Sequence, residues 1–174
     1  MEMPPAILIG HSMGGAIALE LARQAPERVS ALVAIGAGVR LPVAPAILDR
    51  IVSAPAETIA TIIEHAYGRN MPPELKQLGR ERMAQIDPVV LEGDFAACDR
   101  FDLMGRLDEI IQPTLVLAGA EDRMVPDRQI AALHEGLPDS ELVLIEEAGH
   151  LVAFERSDEV MRSVGHFLER TASF

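Results

Sequence analysis

The sequence predicts an α/β fold, a mostly parallel sheet flanked by helices, and three observations predict it. Four short apolar runs read as strands, at residues 6–9, 29–35, 114–118 and 142–145. Helical apolar patterns separate them, so strand and helix alternate along the chain. None of the four runs alternates cleanly between apolar and polar residues, which is the pattern of strands covered on both faces.

Each element has a local reason. Residues 16–25 form a compact apolar helix stopped by Pro26, suited to direct packing on the sheet. After the second strand the pattern changes. Residues 41–100 carry no strand signal and hold several short helical patterns, the clearest being Ile59, Ile62, Ile63 and Ala66. Pro42, Pro45, Pro55, Pro72, Pro73 and Pro88 punctuate them. Such a stretch is too long for a connection in a compact α/β unit, so it is an inserted helical subdomain covering the ligand-binding end of the sheet. Beyond the third strand, Ile130, Leu133 and Leu137 form the stripe of a helix that starts after Pro126. Val160, Met161, Val164, Phe167 and Leu168 form the stripe of a last helix, with Ser157 as its N-cap. The chain thus divides into core (1–40), helical cap insertion (41–100) and core again (101–174).

Composition narrows the function classes. The 174 residues hold 27 acidic against 15 basic side chains, a formal charge of −12 that repels phosphate backbones and anionic lipid. Nucleic acid and membrane are therefore excluded as partners, and an aromatic content of 3% with no Trp offers no base-stacking platform. The single cysteine, Cys98, excludes an internal disulfide framework and suits a reducing, cytoplasmic compartment. It sits in an Ala-rich apolar stretch and reads as a small core residue. No apolar run reaches membrane-span length, and the N-terminus lacks a signal-peptide pattern. The five histidines show no paired ligand spacing, so no metal is implied, and no cofactor is expected.

The chemistry concentrates at Gly10-His11-Ser12-Met13-Gly14, between the first strand and the first helix. A serine at a tight strand-to-helix turn projects its hydroxyl outward, while the new helix N-terminus favours developing negative charge. Crowding at such a turn calls for small residues two before and two after the serine, here Gly10 and Gly14, and Gly15 adds room for close helix–strand approach. The backbone N–H of Met13 points where an oxyanion would form. By chance the bare G-x-S-x-G pattern arises in roughly one in twenty chains of this size, so its position between buried strand and apolar helix is what gives it weight. A phosphate-binding turn would need G-x-G-x-x-G or a G-K-[ST] ending, and neither is present.

A serine hydroxyl needs a base. His11 adjoins Ser12, which aims its side chain elsewhere and suits it to shaping the turn. His65 lies in the helical insertion, His134 on an apolar stripe and His166 within the last helix. His150 differs, following the fourth strand in the loop Glu146-Glu147-Ala148-Gly149-His150, at the end of a parallel sheet where ligand sites form. The base in turn needs an acid. No carboxylate follows the second strand in Gly36-Ala37-Gly38-Val39. The third is followed by Glu121 and Asp122 within residues 119–126, and Asp122, in a turn ahead of Pro126, is taken as the acid with Glu121 as the alternative. The chain order is Ser, Asp, His.

Three blocks, residues 10–15, residues 119–126, and Gly149-His150 followed by Phe154-Glu155, together resemble the signature of the α/β-hydrolase superfamily. The likeness is strongest to small bacterial esterases, non-haem haloperoxidase-like enzymes and carbon–carbon bond hydrolases, and it covers essentially the whole chain. It implies Ser12 as nucleophile, Asp122 as acid, His150 as base, Met13 N–H as oxyanion donor, and a helical cap between the second and third strands. It also implies a small-molecule ester or related acyl substrate. A serine at position 12 separates the chain from relatives that remove halogens with an aspartate nucleophile.

The front of the chain departs from the pattern. Family members place several strands and helices before the elbow, including a His-Gly loop that supplies a second oxyanion N–H, and that loop has no counterpart in this sequence. Losing one such donor costs about 10²–10³ in rate. The resemblance therefore implies a partial hydrolase fold whose first strand exposes an apolar edge open to self-association. The alternative function is a weak hydrolase-like fragment that serves as a binding module or needs the N-terminal segment.

Overall fold

The computed structural model describes residues 4–171. Strands β1 (Ala6–His11), β2 (Val29–Ile35), β3 (Thr114–Gly119) and β4 (Ser140–Ile145) form one sheet in chain order, with every neighbouring pair parallel. Each crossover contains helix: α1 (Met13–Gln24) after β1, a four-helix insert after β2, and α6 (Asp127–Gly136) after β3. The short α7 (Val152–Glu155) and the long α8 (Ser157–Thr171) complete the chain.

The alternation of side chains along β2 and β3 divides the core in two. Leu32 and Ala34 of β2 with Val116 and Ala118 of β3 pack under α1 and α6, against Leu19, Ala22, Ile130 and Leu133. Ala31, Val33 and Ile35 with Leu115 and Leu117 face the other way, onto Val160, Val164 and Phe167 of α8. All of these residues are buried, so the central strands read as continuous apolar runs because helices cover both their faces.

The outer strands behave differently. Within the described sheet β1 and β4 are the edges, and Ile7, Ile9 and Leu144 stand about half exposed. The expectation that all four strands are covered on both faces therefore holds for β2 and β3 alone. Other corrections are local. Gly10 and His11 extend β1 by pairing with Ala34 and Ile35. Ser157 is the first helical residue of α8, not its cap; the Arg156 carbonyl accepts the first bonds, from Glu159 and Val160 N–H. Met161, assigned to the buried stripe, is exposed because it lies about 100° around the helix from Val160.

The insert comprises α2 (Pro45–Arg50), α3 (Pro55–Ala66), α4 (Pro73–Met83) and α5 (Pro88–Arg100). Proline opens all four helices, at a position whose N–H has no intrahelical partner in any case. Asp87 caps α5 by accepting the Val89 N–H. Ile51, Ile59, Ile62, Ile63, Tyr67 and Leu91 give the insert an apolar core of its own. At its neck Arg40 and Asp102 form an isolated antiparallel bridge reinforced by a 2.6 Å side-chain ion pair. That hydrogen bond from Arg40 holds the Asp102 carboxyl below its ordinary pKa. No helix among the described residues is long and apolar enough to cross a membrane.

Candidate active site

The turn after β1 is strained. Ser12 has φ 52° and ψ −117°, a region that L residues with side chains seldom occupy. Two bonds hold it there: its N–H donates to the Ile35 carbonyl at 2.8 Å, and its own carbonyl accepts from Ala16 N–H at 3.1 Å as α1 begins. Gly10 allows the turn to close, since a Cβ there would lie 2.2 Å from the Gly14 carbonyl oxygen. Gly15 lets α1 approach Ala37, whose Cβ would be 2.7 Å away. Gly14 departs from expectation. A Cβ on Gly14 meets nothing within 4 Å, so crowding does not require glycine there. Gly10→Ala is accordingly expected to lower the thermal midpoint sharply or prevent folding, whereas Gly14→Ala leaves it unchanged or slightly raised. Comparison of the two melts checks this, and equal losses would count against it.

The loops after β3 and β4 meet closely. Ala120 N–H donates to Ile145 O and Glu121 N–H to Ala148 O, at 2.9 and 2.8 Å. A Cβ on Gly119 would lie 2.2 Å from the Gly149 oxygen, so only glycine permits this approach. The contact brings Asp122 to His150. His150 Nδ1 lies 2.8 Å from Asp122 Oδ2, and both residues are buried. Asp122 Oδ1 accepts the N–H groups of Met124 and Val125 at 2.7 and 3.0 Å, which fixes the carboxylate plane. A carboxylate can only accept from the ring, so Nδ1 carries the proton and Nε2 is left as a base. Glu121, the alternative acid, instead accepts the Arg69 N–H at 2.7 Å.

Ser12 and His150 line one cavity of about 370 Å³ beneath the insert. Leu41, Val43, Ile47, Ile62, Phe95 and Met124 supply much of its apolar wall. His65 also lines it, though its Nδ1 bonds the Thr61 carbonyl. Elsewhere, His134 bonds Ser140 Oγ and His166 is exposed on α8. Cys98 borders the cavity and packs against the main core, and burial followed by the nearby Asp94 pushes its thiol pKa up. A thiol held protonated is a poor nucleophile.

Three side chains matter here beyond those the sequence singled out for chemistry. The carboxylate of Glu155 accepts the N–H of Gly149 at 3.0 Å and that of Gly68 at 2.9 Å, joining the His150 loop to the insert. The Arg123 guanidinium binds the carbonyls of Glu64 and Tyr67, satisfying the C-terminal end of α3. The main-chain N–H of Leu151 donates to the Ala66 carbonyl of the same helix end at 3.1 Å. The third is His11, whose ring reaches His150. Glu155 belonged to a motif block, but nothing in the sequence assigned it a role, because its partners are backbone groups. Among the described residues no group of three or more His, Cys, Asp or Glu is arranged to hold a metal ion.

A family model described as the alpha/beta hydrolase family matches residues 2–163. The chain belongs to the α/β-hydrolase family. This family member is 32% identical over 95% of its length to 2-hydroxy-6-oxo-6-phenylhexa-2,4-dienoate hydrolase of Comamonas testosteroni, and spans 63% of that relative's length. It is 29% identical to the pimeloyl-[acyl-carrier protein] methyl ester esterase of Stenotrophomonas maltophilia, covering 95% of this chain and 70% of that one. Among solved structures, a thermophilic esterase superposes with a TM-score of 0.87 at 35% identity, over 96% of this hydrolase-family chain and 67% of the esterase.

Proposed function

We propose that the chain carries a serine-hydrolase site that cleaves carboxylic esters of small apolar compounds through an acyl-serine intermediate. One observation supports this above the others: the buried Asp122–His150 hydrogen bond opens, through the ring, onto the cavity that the strained Ser12 also lines. Ser12 Oγ attacks the ester carbonyl while His150 Nε2 takes its proton, and Asp122 stabilises the imidazolium. The carbonyl oxygen gains charge near the Met13 N–H, at the start of α1, where the first N–H groups have no intrahelical partner. Collapse of the tetrahedral species breaks the bond to the alcohol, which leaves with the proton from His150. Water, deprotonated by the same imidazole, then attacks the acyl-serine and releases the acid. The insert acts as a cap, and its aliphatic lining suits an apolar acyl or alcohol group.

The identity to the Comamonas hydrolase favours a second reading, in which the same three residues act on a carboxylate-bearing keto acid of the kind its name describes. The cavity supports the ester reading better. Arg123 is the only lysine or arginine lining it among the described residues, and two backbone carbonyls already hold its guanidinium. A carboxylate would meet that one cation, whose Nη2 neutral carbonyls already engage, in an otherwise mostly apolar wall.

The test is reaction of the purified chain with a fluorophosphonate probe, followed by peptide mapping. A single adduct on Ser12 is expected, together with hydrolysis of p-nitrophenyl butyrate. No adduct would overturn the reading and leave the family's pocket as a binding module.

A further inference from the structure

His11 precedes the candidate nucleophile, yet its side chain turns to the candidate base. Its Nε2 lies 2.8 Å from the backbone carbonyl oxygen of His150, an acceptor, so Nε2–H donates. The two rings tilt at 50° with centroids 4.7 Å apart. Gly36, at φ +55°, forms the floor beneath both: a Cβ there would sit 3.3 Å from His11 Nε2 and 3.2 Å from His150 Nδ1. A side chain there would be strained by the backbone angle and would press on both rings.

We infer that His11 is a positioning residue: its bond to the His150 carbonyl sets how far the base stands from Ser12. This rests on the reading of Ser12, His150 and Asp122 given above. The other tethers on and beside His150 run elsewhere, from the ring to Asp122, from Gly149 to Glu155, and from Leu151 to Ala66 of the insert. None of them reaches the elbow. The His11 bond joins the residue adjacent to Ser12 directly to the main chain of His150. An error of about 1 Å in the distance from base to Ser12 can cost about 10²-fold in rate.

The role also needs a neutral ring. A second cation 4.7 Å from His150 would oppose the imidazolium formed when Ser12 gives up its proton. Burial, and then the neighbouring His150, lower the His11 pKa, outweighing the opposite pull of the nearby Asp122 and of the hydrogen bond itself.

Two substitutions separate the hydrogen bond from the ring. H11Q places an amide N–H as many bonds from the backbone as Nε2 and has no ring; H11F keeps a ring and has no donor. With p-nitrophenyl butyrate as substrate, H11F is expected to lose about 10–100-fold in kcat with KM little changed, and H11Q to recover to within about threefold of the parent. The reverse ranking, or equal losses in both, would overturn the proposal and leave His11 as a packing residue. If H11F fails to fold, H11Q alone decides by the same threefold criterion. If the parent chain neither labels nor turns over, the hydrolase reading is what fails. The downfield Nδ1–H proton resonance of His150 then decides about His11: retained in H11Q and broadened in H11F supports the strut, and no difference overturns it.

Discussion

Ser12→Ala is expected to abolish fluorophosphonate labelling and reduce ester hydrolysis to background, a loss of about 10⁶-fold in kcat for an efficient serine hydrolase. The expectation follows from where the side chain stands. Ser12 is held by its backbone, through Ile35 and Ala16, and the residue lines the cavity, so under the proposed function its hydroxyl serves chemistry more than packing. Alanine keeps a Cβ at φ 52°, so the thermal midpoint of Ser12→Ala should match the parent. Ser12→Gly makes a sharper second test. It is equally inactive but relieves backbone strain of about 1–3 kcal/mol, against about 0.5–1 kcal/mol of added chain entropy in the unfolded state. A net gain of roughly 1 kcal/mol raises the midpoint by about 2–4 °C in a domain of this size. Residual hydrolysis by Ser12→Ala would place the nucleophile elsewhere. A Ser12→Gly midpoint no higher than that of Ser12→Ala would show that the elbow stores no strain.

Asp122→Asn carries the second large effect, a fall of about 10⁴-fold in kcat with the fold retained. The amide has two ways to sit. With its oxygen toward Met124 and Val125, its NH₂ faces His150 Nδ1 and forces the proton onto Nε2, where the ring can no longer accept from Ser12. Flipped, the NH₂ meets two backbone donors in a buried site. Asp122→Ala should cost stability as well, because those two N–H groups lose their acceptor, at about 1–3 kcal/mol for each buried group left unsatisfied. Kinetics with p-nitrophenyl butyrate and paired melts of the two variants check both statements. A comparable kinetic loss in Glu121→Gln, with Asp122→Asn near the parent, would transfer the acid role to Glu121.

The front of the site was legible because strong local rules act there. Gly10 and Ser12 mark a turn that only a small residue can close, and the apolar runs on either side give away strand and helix. Asp122 and His150 could be named because both follow strands at the same end of a parallel sheet, and the structure brings them to 2.8 Å. Gly14 was misjudged because the motif implies crowding on both sides of the serine, while contact falls on Gly10 and Gly15. Met161 was misassigned because an apolar residue adjoining a buried stripe is indistinguishable by type from one within it.

From the sequence alone came the alternation of strand and helix, the helical insert between β2 and β3, and the residue types that a serine hydrolase requires. These follow from periodicity, proline placement and turn chemistry, which act over a few residues. Only the tertiary structure decided which groups meet. His11 reaches a carbonyl 139 positions away, Glu155 joins two backbone N–H groups 87 and 6 positions away, and Arg123 caps a helix of the insert. In each contact the group the side chain meets is a main-chain one, which nearly every residue carries alike, so no side-chain pattern in the sequence could single out the partners.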